Sequence, residues 1–312
     1  MGALRTLPEA IAEAARTSNG YRFVGAAGAD GEMLRSYADL ERNACGFARA
    51  LAHAGLRPGD CLALVLPDAE DFLTALFGAS IAGVLPASLY SPATAGDLPR
   101  YFELTAGVLR TCAARAVVTT AALAPGFEAL RGSCPALDLV LARETLDAAA
   151  DAPAQNNVSP ALDDIALIQF TSGSTSAPKG VVLTHANLCA NIDAINGPAG
   201  MATTESDIAV SWLPLNHDMG LVGMALCALY TGRPAVLLPP SLFVRRPVEW
   251  LRAISRHRGT ISFAPNFAYD LCVRRVKDND LEHLDLSSWR VAGCGAEPVH
   301  PPTLDAFAKK MA

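Results

Sequence analysis

The sequence lacks the cysteine spacing that holds structural metal ions or exchanges electrons. None of its eight cysteines stands in a Cys-x-x-Cys pair, which argues against a zinc site and against a dithiol redox motif. Most of them lie within apolar runs, which favours buried free thiols in a reducing cytoplasm. The eight are Cys45, Cys61, Cys112, Cys134, Cys189, Cys227, Cys272 and Cys294.

The chain also lacks an excess of positive charge and an N-terminal leader. Its 312 residues carry a net charge of −6, whereas nucleic-acid binding needs a basic stripe. No basic region leads into an apolar core, so no secretory signal peptide is predicted. The uncharged stretch 72–96 contains prolines and glycines that favour a buried helix and a strand over a membrane span. We expect a cytoplasmic protein with neither a nucleic-acid partner nor a membrane span.

Short apolar strands alternate with helical segments along the chain. Examples are a strand over 61–66, a helix over 68–82 and a strand over 84–89. This alternation predicts an α/β fold with a parallel sheet covered on both faces. The segment 147–164 is rich in Ala, Pro and Asn and has no periodicity. We therefore expect a subdomain boundary there, with one α/β subdomain over 1–155 and a second over 156–312.

Residues 171–180 read Thr-Ser-Gly-Ser-Thr-Ser-Ala-Pro-Lys-Gly. Hydroxyl groups, consecutive backbone N–H groups, glycine and one lysine suit a loop that binds a polyphosphate. The common P-loop pattern is absent, because here the lysine follows a proline and precedes a glycine. Apolar runs over 165–170 and 181–184 predict a loop joining two strands. The alternative is a flexible Ser/Thr/Gly linker, which seldom stands between two strands.

Three further segments complete a pattern. They read Ser-Trp-Leu-Pro-Leu-Asn-His-Asp-Met-Gly-Leu-Val from 211, Ala-Pro-Asn-Phe-Ala-Tyr-Asp-Leu from 264 and Trp-Arg-Val-Ala-Gly-Cys-Gly-Ala-Glu-Pro from 289. With residues 171–180, and in this order, they resemble the adenylate-forming superfamily of acyl-CoA synthetases, adenylation domains and luciferase. Within it they look most like fatty acyl-AMP ligases, which hand acyl chains to carrier proteins. The resemblance covers nearly the whole chain.

The resemblance implies a fold and a reaction. The fold would be the α/β N-terminal domain of an adenylate-forming enzyme, with two stacked sheet-and-helix subdomains, truncated here. ATP, with Mg²⁺, and a fatty acid would form an acyl adenylate and pyrophosphate. The partners would be the fatty acid and an acyl carrier protein.

The resemblance also implies roles for individual residues. His217 and Asp218 would be catalytic residues beside the acyl site. The wall of that site would include Asn266, Phe267 and Tyr269. One face of the adenine would be lined by Gly295, Ala296, Glu297 and Pro298. The ATP phosphates would be held by Thr171, Ser172, Gly173, Ser174, Thr175, Lys179 and Gly180.

The chemistry needs no activated side-chain nucleophile, and none is evident. Two anions must meet, so catalysis rests on positioning and on neutralising charge with fixed donors and Mg²⁺. The Gly-x-Ser-x-Gly pattern is absent, which argues against a hydrolase built on Ser172 or Ser174.

The His217–Asp218 pair and a basic cluster each have an alternative interpretation, and Asn216 departs from the family pattern. His217 and Asp218 are turn residues in the simpler account, with Asp218 capping the next helix. Asn216 occupies a position that is usually aromatic in the family, which affects the expected pocket shape and chain-length preference. A basic cluster is either a docking site for an acidic carrier protein or a solvated helix face. It comprises Arg245, Arg246, Arg252, Arg256 and Arg258.

Family members have further motifs that this sequence does not contain. They include a tyrosine that stacks on adenine, a glutamate that binds Mg²⁺, and a C-terminal domain with a catalytic lysine. We therefore expect weak or no ATP binding and no turnover by these 312 residues alone. Three hypotheses stay open: a fatty acyl-AMP ligase, an acyl-CoA ligase of the same fold, and a non-catalytic module that binds acyl chains or a partner.

Overall fold

The structure is a computed structural model that describes residues 4–25, 28–92, 97–146, 159–171 and 179–311. Its strands are β1 (Gly20–Gly25), β2 (Gly28–Ser36), β3 (Cys61–Val65), β4 (Leu85–Ser88), β5 (Ala116–Thr119), β6 (Leu139–Ala142), β7 (Ile165–Thr171), β8 (Lys179–Thr184), β9 (Ala209–Ser211), β10 (Ala235–Leu237), β11 (Ile261–Ala264) and β12 (Val291–Cys294).

The α-helices are α1 (Leu7–Ala14), α2 (Tyr37–His53), α3 (Ala69–Ile81), α4 (Leu98–Thr111), α5 (Ala124–Glu128), α6 (Arg143–Leu146), α7 (His185–Asn196), α8 (Asp218–Gly220), α9 (Cys227–Tyr230), α10 (Pro240–Arg245), α11 (Val248–His257), α12 (Asn266–Arg275), α13 (Asp278–Leu281) and α14 (Pro301–Met311). A π-helix, Leu221–Leu226, lies between α8 and α9. No described helix combines the length and the apolar character that crossing a membrane requires.

The described chain forms two compact units, each built on one six-stranded sheet. Unit 1 comprises Ala14–Tyr37 and Ile192–Ala312, and unit 2 comprises Gly2–Glu13 and Ala38–Asn191. The units are discontinuous because the N-terminal hairpin β1–β2 joins the sheet of unit 1 by pairing with β10. The division at residues 155 and 156 stays a prediction, and the compact units do not follow it.

The sheet of unit 2 has the order β6-β5-β3-β4-β7-β8. Its pairs are parallel except β7 with β8. Every residue of β3 and β5 is buried, as expected of continuous apolar strands in a parallel sheet. Helix α3 precedes β4 as predicted, and the Asp68 side chain caps it by accepting the N–H groups of Glu70 and Asp71.

The sheet of unit 1 has the order β12-β11-β9-β10-β1-β2. It too is parallel apart from one antiparallel hairpin, β1–β2, in which Gly20 lies opposite Ser36. That hairpin was predicted from its two apolar runs around a glycine-rich turn. The two mixed sheets with their helices confirm the predicted α/β class.

A buried carboxylate, Asp207, joins the amino ends of three neighbouring strands in unit 1. Asp207, just before β9, accepts hydrogen bonds from Thr260, just before β11, and from Arg290, just before β12. Asp207 is 3% exposed. The arrangement fixes the three strands at one edge of the sheet and leaves their carboxyl ends for loops.

The helix predicted over 221–231 is correct in place but not in form. It runs from Asp218 to Tyr230, and its middle six residues are π-helical. A π-helix inserts a residue into the helical repeat, which hydrophobic spacing over so short a segment does not reveal. The strand predicted over 208–213 is also shorter, since β9 covers only Ala209–Ser211.

Candidate functional site

Three segments of unit 1 follow the carboxyl ends of adjacent parallel strands. Residues 212–220 follow β9, residues 265–269 follow β11, and residues 295–298 follow β12. In open α/β sheets, ligands bind at the carboxyl edge of the strands. All the predicted site residues of this unit lie in these segments, with Asp218 in α8 and with Asn266, Phe267 and Tyr269 in the first turn of α12.

The turn 295–298 is tied to the start of α12 from both sides. The Glu297 Oε1 accepts the backbone N–H of Phe267 at 2.6 Å, a charge-assisted hydrogen bond. In return the Asn266 Oδ1 accepts the backbone N–H of His300 at 2.9 Å. Ala296 has φ of +65°, a left-handed conformation that costs a non-glycine residue roughly 1–2 kcal/mol. Two side-chain bonds thus hold a strained, exposed turn in place.

Asp218 and His217 lie at the start of α8 and are exposed by 74% and 50% of their side chains. The helix-capping position is occupied by His217, whereas Asp218 is the first helical residue. His217 Nδ1 lies 2.8 Å from Asp218 Oδ1 and 3.3 Å from the Met219 backbone nitrogen. Asp218 Oδ1 also accepts the Met219 N–H at 2.7 Å. The Met219 N–H is thus shared between the Asp218 carboxylate and His217 Nδ1, which accepts it as the cap of the helix.

Tight backbone packing brings this loop near the turn 295–298. A Cβ on Gly220 would lie 2.3 Å from the Pro214 carbonyl oxygen, so the loop closes only with glycine there. A Cβ on Gly295 would lie 3.9 Å from Met219 Sδ, which is ordinary van der Waals contact. Met219 therefore lies beside the turn at Gly295.

Tyr269 supports the site from beneath rather than lining it. It is 2% exposed, and its hydroxyl donates to the Gly293 carbonyl at 2.6 Å. Burial, together with Cys294 and Cys272 nearby, raises the pKa of Tyr269 well above its usual value. Phe267, by contrast, is 45% exposed.

Two aromatic residues join Phe267 and were not among the predicted site residues. Trp212 is 3% exposed, stacks on Phe243 with ring centroids 3.8 Å apart, and meets the Phe267 ring edge-on at 6.0 Å. Phe243 comes from α10 and is buried. Only the position of Trp212 inside a quoted segment pointed to it, and nothing local marked Phe243.

The predicted phosphate loop belongs to unit 2, where it closes the β7–β8 hairpin. Thr171 pairs with Lys179, and Phe170 with Gly180, which confirms that the loop joins two strands. Lys179 and Gly180 are exposed. Ser172, Gly173, Ser174 and Thr175 lie outside the described residues. Thr184 caps the following helix α7 as predicted, its Oγ1 accepting the Asn187 N–H at 3.2 Å.

The described residues contain no group of three or more His, Cys, Asp or Glu side chains placed to hold a metal ion. Mg²⁺ is usually bound by one or two carboxylates together with substrate phosphates. The described part of the site provides hydrogen-bonding groups, an aromatic surface and the imidazole–carboxylate pair of His217 and Asp218.

Comparison with known proteins finds relatives that are named as enzymes acting on acyl groups. A provisionally named acyl-CoA synthetase of Caulobacter vibrioides is 38% identical over 98% of this chain and 53% of its own length. The medium-chain-fatty-acid–[acyl-carrier-protein] ligase JamA of Moorena producens is 37% identical over 87% of this chain and 46% of its own. The chain thus spans about half the length of these relatives.

A solved structure agrees with the sequence relatives. It comes from work on fatty acyl-adenylate ligases from E. coli and L. pneumophila, and it covers 99% of this chain and 55% of its own. The TM-score is 0.91 at 37% identity. The sequence pattern of the AMP-binding enzymes matches residues 12–312. This chain therefore belongs to the AMP-binding enzyme family.

Proposed function

We propose that this chain supplies nucleotide- and acyl-binding parts of a cytoplasmic fatty acyl-AMP ligase. The ligase activates a fatty acid with MgATP to acyl-AMP and passes the acyl group to a carrier protein. The observation that carries this proposal is the Glu297–Phe267 bond, which fixes the proposed adenine surface to the proposed acyl surface. The names of the relatives support fatty acids as substrates.

The reaction joins the two substrates at phosphorus. A carboxylate oxygen of the fatty acid attacks the α-phosphorus of ATP, the bond to the bridging oxygen breaks, and pyrophosphate leaves. Mg²⁺ bound to the ATP phosphates would neutralise part of their charge. The chain provides fixed donors, and none of its side chains forms a covalent intermediate in this proposal.

Each predicted residue takes a role consistent with its surroundings. Lys179 and the hydroxyls of the β7–β8 loop hold phosphates. The rigid turn 295–298 offers its exposed backbone to the adenine. Phe267, which is 45% exposed and contacts the Trp212 ring, offers an apolar surface to the fatty acid. Tyr269 acts as a positioning residue, because its hydroxyl is occupied by Gly293.

His217 and Asp218 act together in the proposal. The His217 side chain is 50% exposed, and its Nδ1 lies 2.8 Å from the Asp218 carboxylate, so the ring is accessible to a substrate. A neutral or protonated imidazole at this place orients the substrate carboxylate and reduces repulsion between the two anions.

The test is fatty-acid-dependent exchange of labelled pyrophosphate into ATP by the product of the complete reading frame. Glu297→Ala removes the acceptor of the Phe267 N–H, and we expect it to lower exchange at least tenfold. Glu205→Ala is the matched control, because the Glu205 side chain is 95% exposed and lies 3.7 Å from Arg233. Absence of exchange with every medium- and long-chain fatty acid sinks the proposal, and fatty-acid binding without exchange favours a non-catalytic module.

A second candidate is an acyl-CoA ligase, favoured by the name of the Caulobacter relative. The two differ in acceptor and not in the first step. Preformed acyl-AMP offered to the protein with CoA or with a carrier protein separates them. Faster thioester formation with CoA selects the second candidate.

A further inference from the structure

Four arginines of unit 1 line a single surface groove of about 400 Å³. They come from three helical segments that meet there: Arg245 and Arg246 at the end of α10, Arg252 from α11 and Arg275 from the end of α12. We name this feature the arginine groove. Pro247, Val248 and Asp280 complete its lining.

The structure divides the basic cluster that the sequence suggested. Arg256 turns to Glu32 at 2.8 Å, and Arg258 turns to Asp285 at 3.4 Å, so neither lines the groove. Arg275, at the end of α12, lines the groove although it was not part of the predicted cluster. The groove is therefore an assembly of separate elements, which a solvated helix face would not require.

The groove keeps a positive balance. Glu249 lies 2.6 Å from Arg246 and 2.8 Å from Arg252, and Asp280 lies 2.8 Å from Arg252. The lining of the groove thus holds four arginines and one carboxylate, Asp280, while Glu249 pairs with two of the arginines. Arg275 donates to the neutral carbonyl of Val244 at 3.3 Å, a bond that orients its guanidinium without cancelling the charge.

Exposed apolar surface adjoins these charges. Val244, whose carbonyl holds Arg275, is 49% exposed, while Pro247 and Val248 are buried and form the floor. Arginine beside apolar side chains is typical of protein interfaces, from which lysine is depleted. A small inorganic anion would draw on the arginines alone, so the combination favours a protein surface that presents carboxylates.

The groove is connected to the proposed acyl surface by two helices. Helix α12 begins beside Phe267 and ends at Arg275, eight residues later, or about 12 Å along the helix axis. Helix α10 carries both Phe243, which stacks on Trp212, and Arg245. A partner seated in the groove would lie close to the acyl surface without covering it.

We propose that the arginine groove docks the acidic face of an acyl carrier protein, an inference that rests on the proposed transfer to such a carrier. The whole chain carries a net charge of −6, so an acidic partner is repelled elsewhere and needs a local positive surface. Complementary charge of this kind gives fast association that weakens with salt.

The experiment measures binding of a purified, phosphopantetheinylated acyl carrier protein to the wild-type protein by calorimetry at low and high salt. The double variant Arg245→Gln/Arg275→Gln should weaken binding at least tenfold and flatten the salt dependence. Arg274→Gln is the matched control, because Arg274 is 66% exposed, pairs with Asp270 and does not line the groove. It should leave binding within twofold.

Three results overturn the inference: no carrier binding by the wild type, equal binding by the groove and control variants, or displacement of the carrier by millimolar inorganic phosphate. Pyrophosphate exchange without carrier is measured on the same variants and should be unchanged. Absence of pyrophosphate exchange in the wild type would count against the proposed function and not against carrier docking in the groove. Should the double variant not fold, Arg275→Glu alone carries the same comparison with Arg274→Glu.

Discussion

Replacing Asp207 with asparagine should destabilise unit 1 by about 2 kcal/mol or more. The Asp207 carboxylate accepts from the backbone N–H and the hydroxyl of Thr204, from the Thr260 hydroxyl and from two guanidinium nitrogens of Arg290. All these partners donate. An asparagine NH₂ would therefore point a donor at a donor, in addition to removing the charge that pairs with Arg290.

The magnitude follows from the pKa of Asp207. Burial raises this pKa, but hydrogen bonds from Arg290, Thr260 and Thr204 outweigh burial and lower it from 3.8 to about 2. At about 1.36 kcal/mol per pKa unit, the ionised form stabilises the fold by about 2 kcal/mol. Because the folded-state pKa is the lower one, this stabilisation is complete above about pH 5 and is lost as the pH falls towards 2.

Urea unfolding followed by tryptophan fluorescence is a suitable assay, since Trp212, Trp250 and Trp289 are the three tryptophans of the chain and all belong to unit 1. The difference in unfolding free energy between wild type and Asp207→Asn should reach its largest value, about 2 kcal/mol or more, at pH 7. It should decrease between pH 4 and pH 2. A difference below about 0.5 kcal/mol at pH 7, or one that does not change with pH, would refute the reasoning, because such values match ordinary surface substitutions.

Three further outcomes are expected. Gly293→Ala would set a Cβ 2.0 Å from the Phe263 ring and should cost about 1–3 kcal/mol of stability by urea unfolding; Gly223→Ala, whose Cβ meets no described atom within 4 Å, should be nearly neutral. Tyr269→Phe should cost about 1–3 kcal/mol in the same assay, because the Gly293 carbonyl loses its donor; no loss would contradict the supporting role of Tyr269. Burial lowers the pKa of His185 from 6.5 to about 4, so the wild type should lose about 2 kcal/mol between pH 7 and pH 5, as the unfolded chain takes up the proton first. Calorimetry should show this loss reduced in His185→Gln, and an unchanged pH dependence would refute the assignment.

Local signals predicted most of the strands and helices that the structure describes. The apolar run of β3, the helix α3 and the hairpin around the phosphate loop each depend on neighbours in sequence, and each was confirmed. The quoted segments also follow the carboxyl ends of β9, β11 and β12. The pattern of apolar residues indicates which residues are buried. The order of strands and helices along the chain then places the quoted segments at one edge of a sheet.

Other features depend on partners that are distant in sequence. The chain offered no local sign that Arg275 would line a groove with Arg245, or that Phe243 would stack on Trp212. Tyr269 belongs to a segment predicted to line the acyl site, yet its hydroxyl is taken by Gly293. The spacing of apolar residues predicts which face of a helix is buried. It does not predict which other element packs against that face.

The pairing of β1 with β10 has a consequence for synthesis on the ribosome. Tyr21, fully buried in the finished sheet, donates to a carbonyl of Ala225 that lies 204 residues later. At about 5–20 residues per second, that partner is made roughly 10–40 s after the hairpin emerges. During this interval the β1–β2 hairpin exposes an aromatic face and an unpaired edge, and two-stranded hairpins are only marginally stable alone. The N-terminal segment of this protein is therefore where nascent-chain binding by chaperones would have the greatest effect on yield.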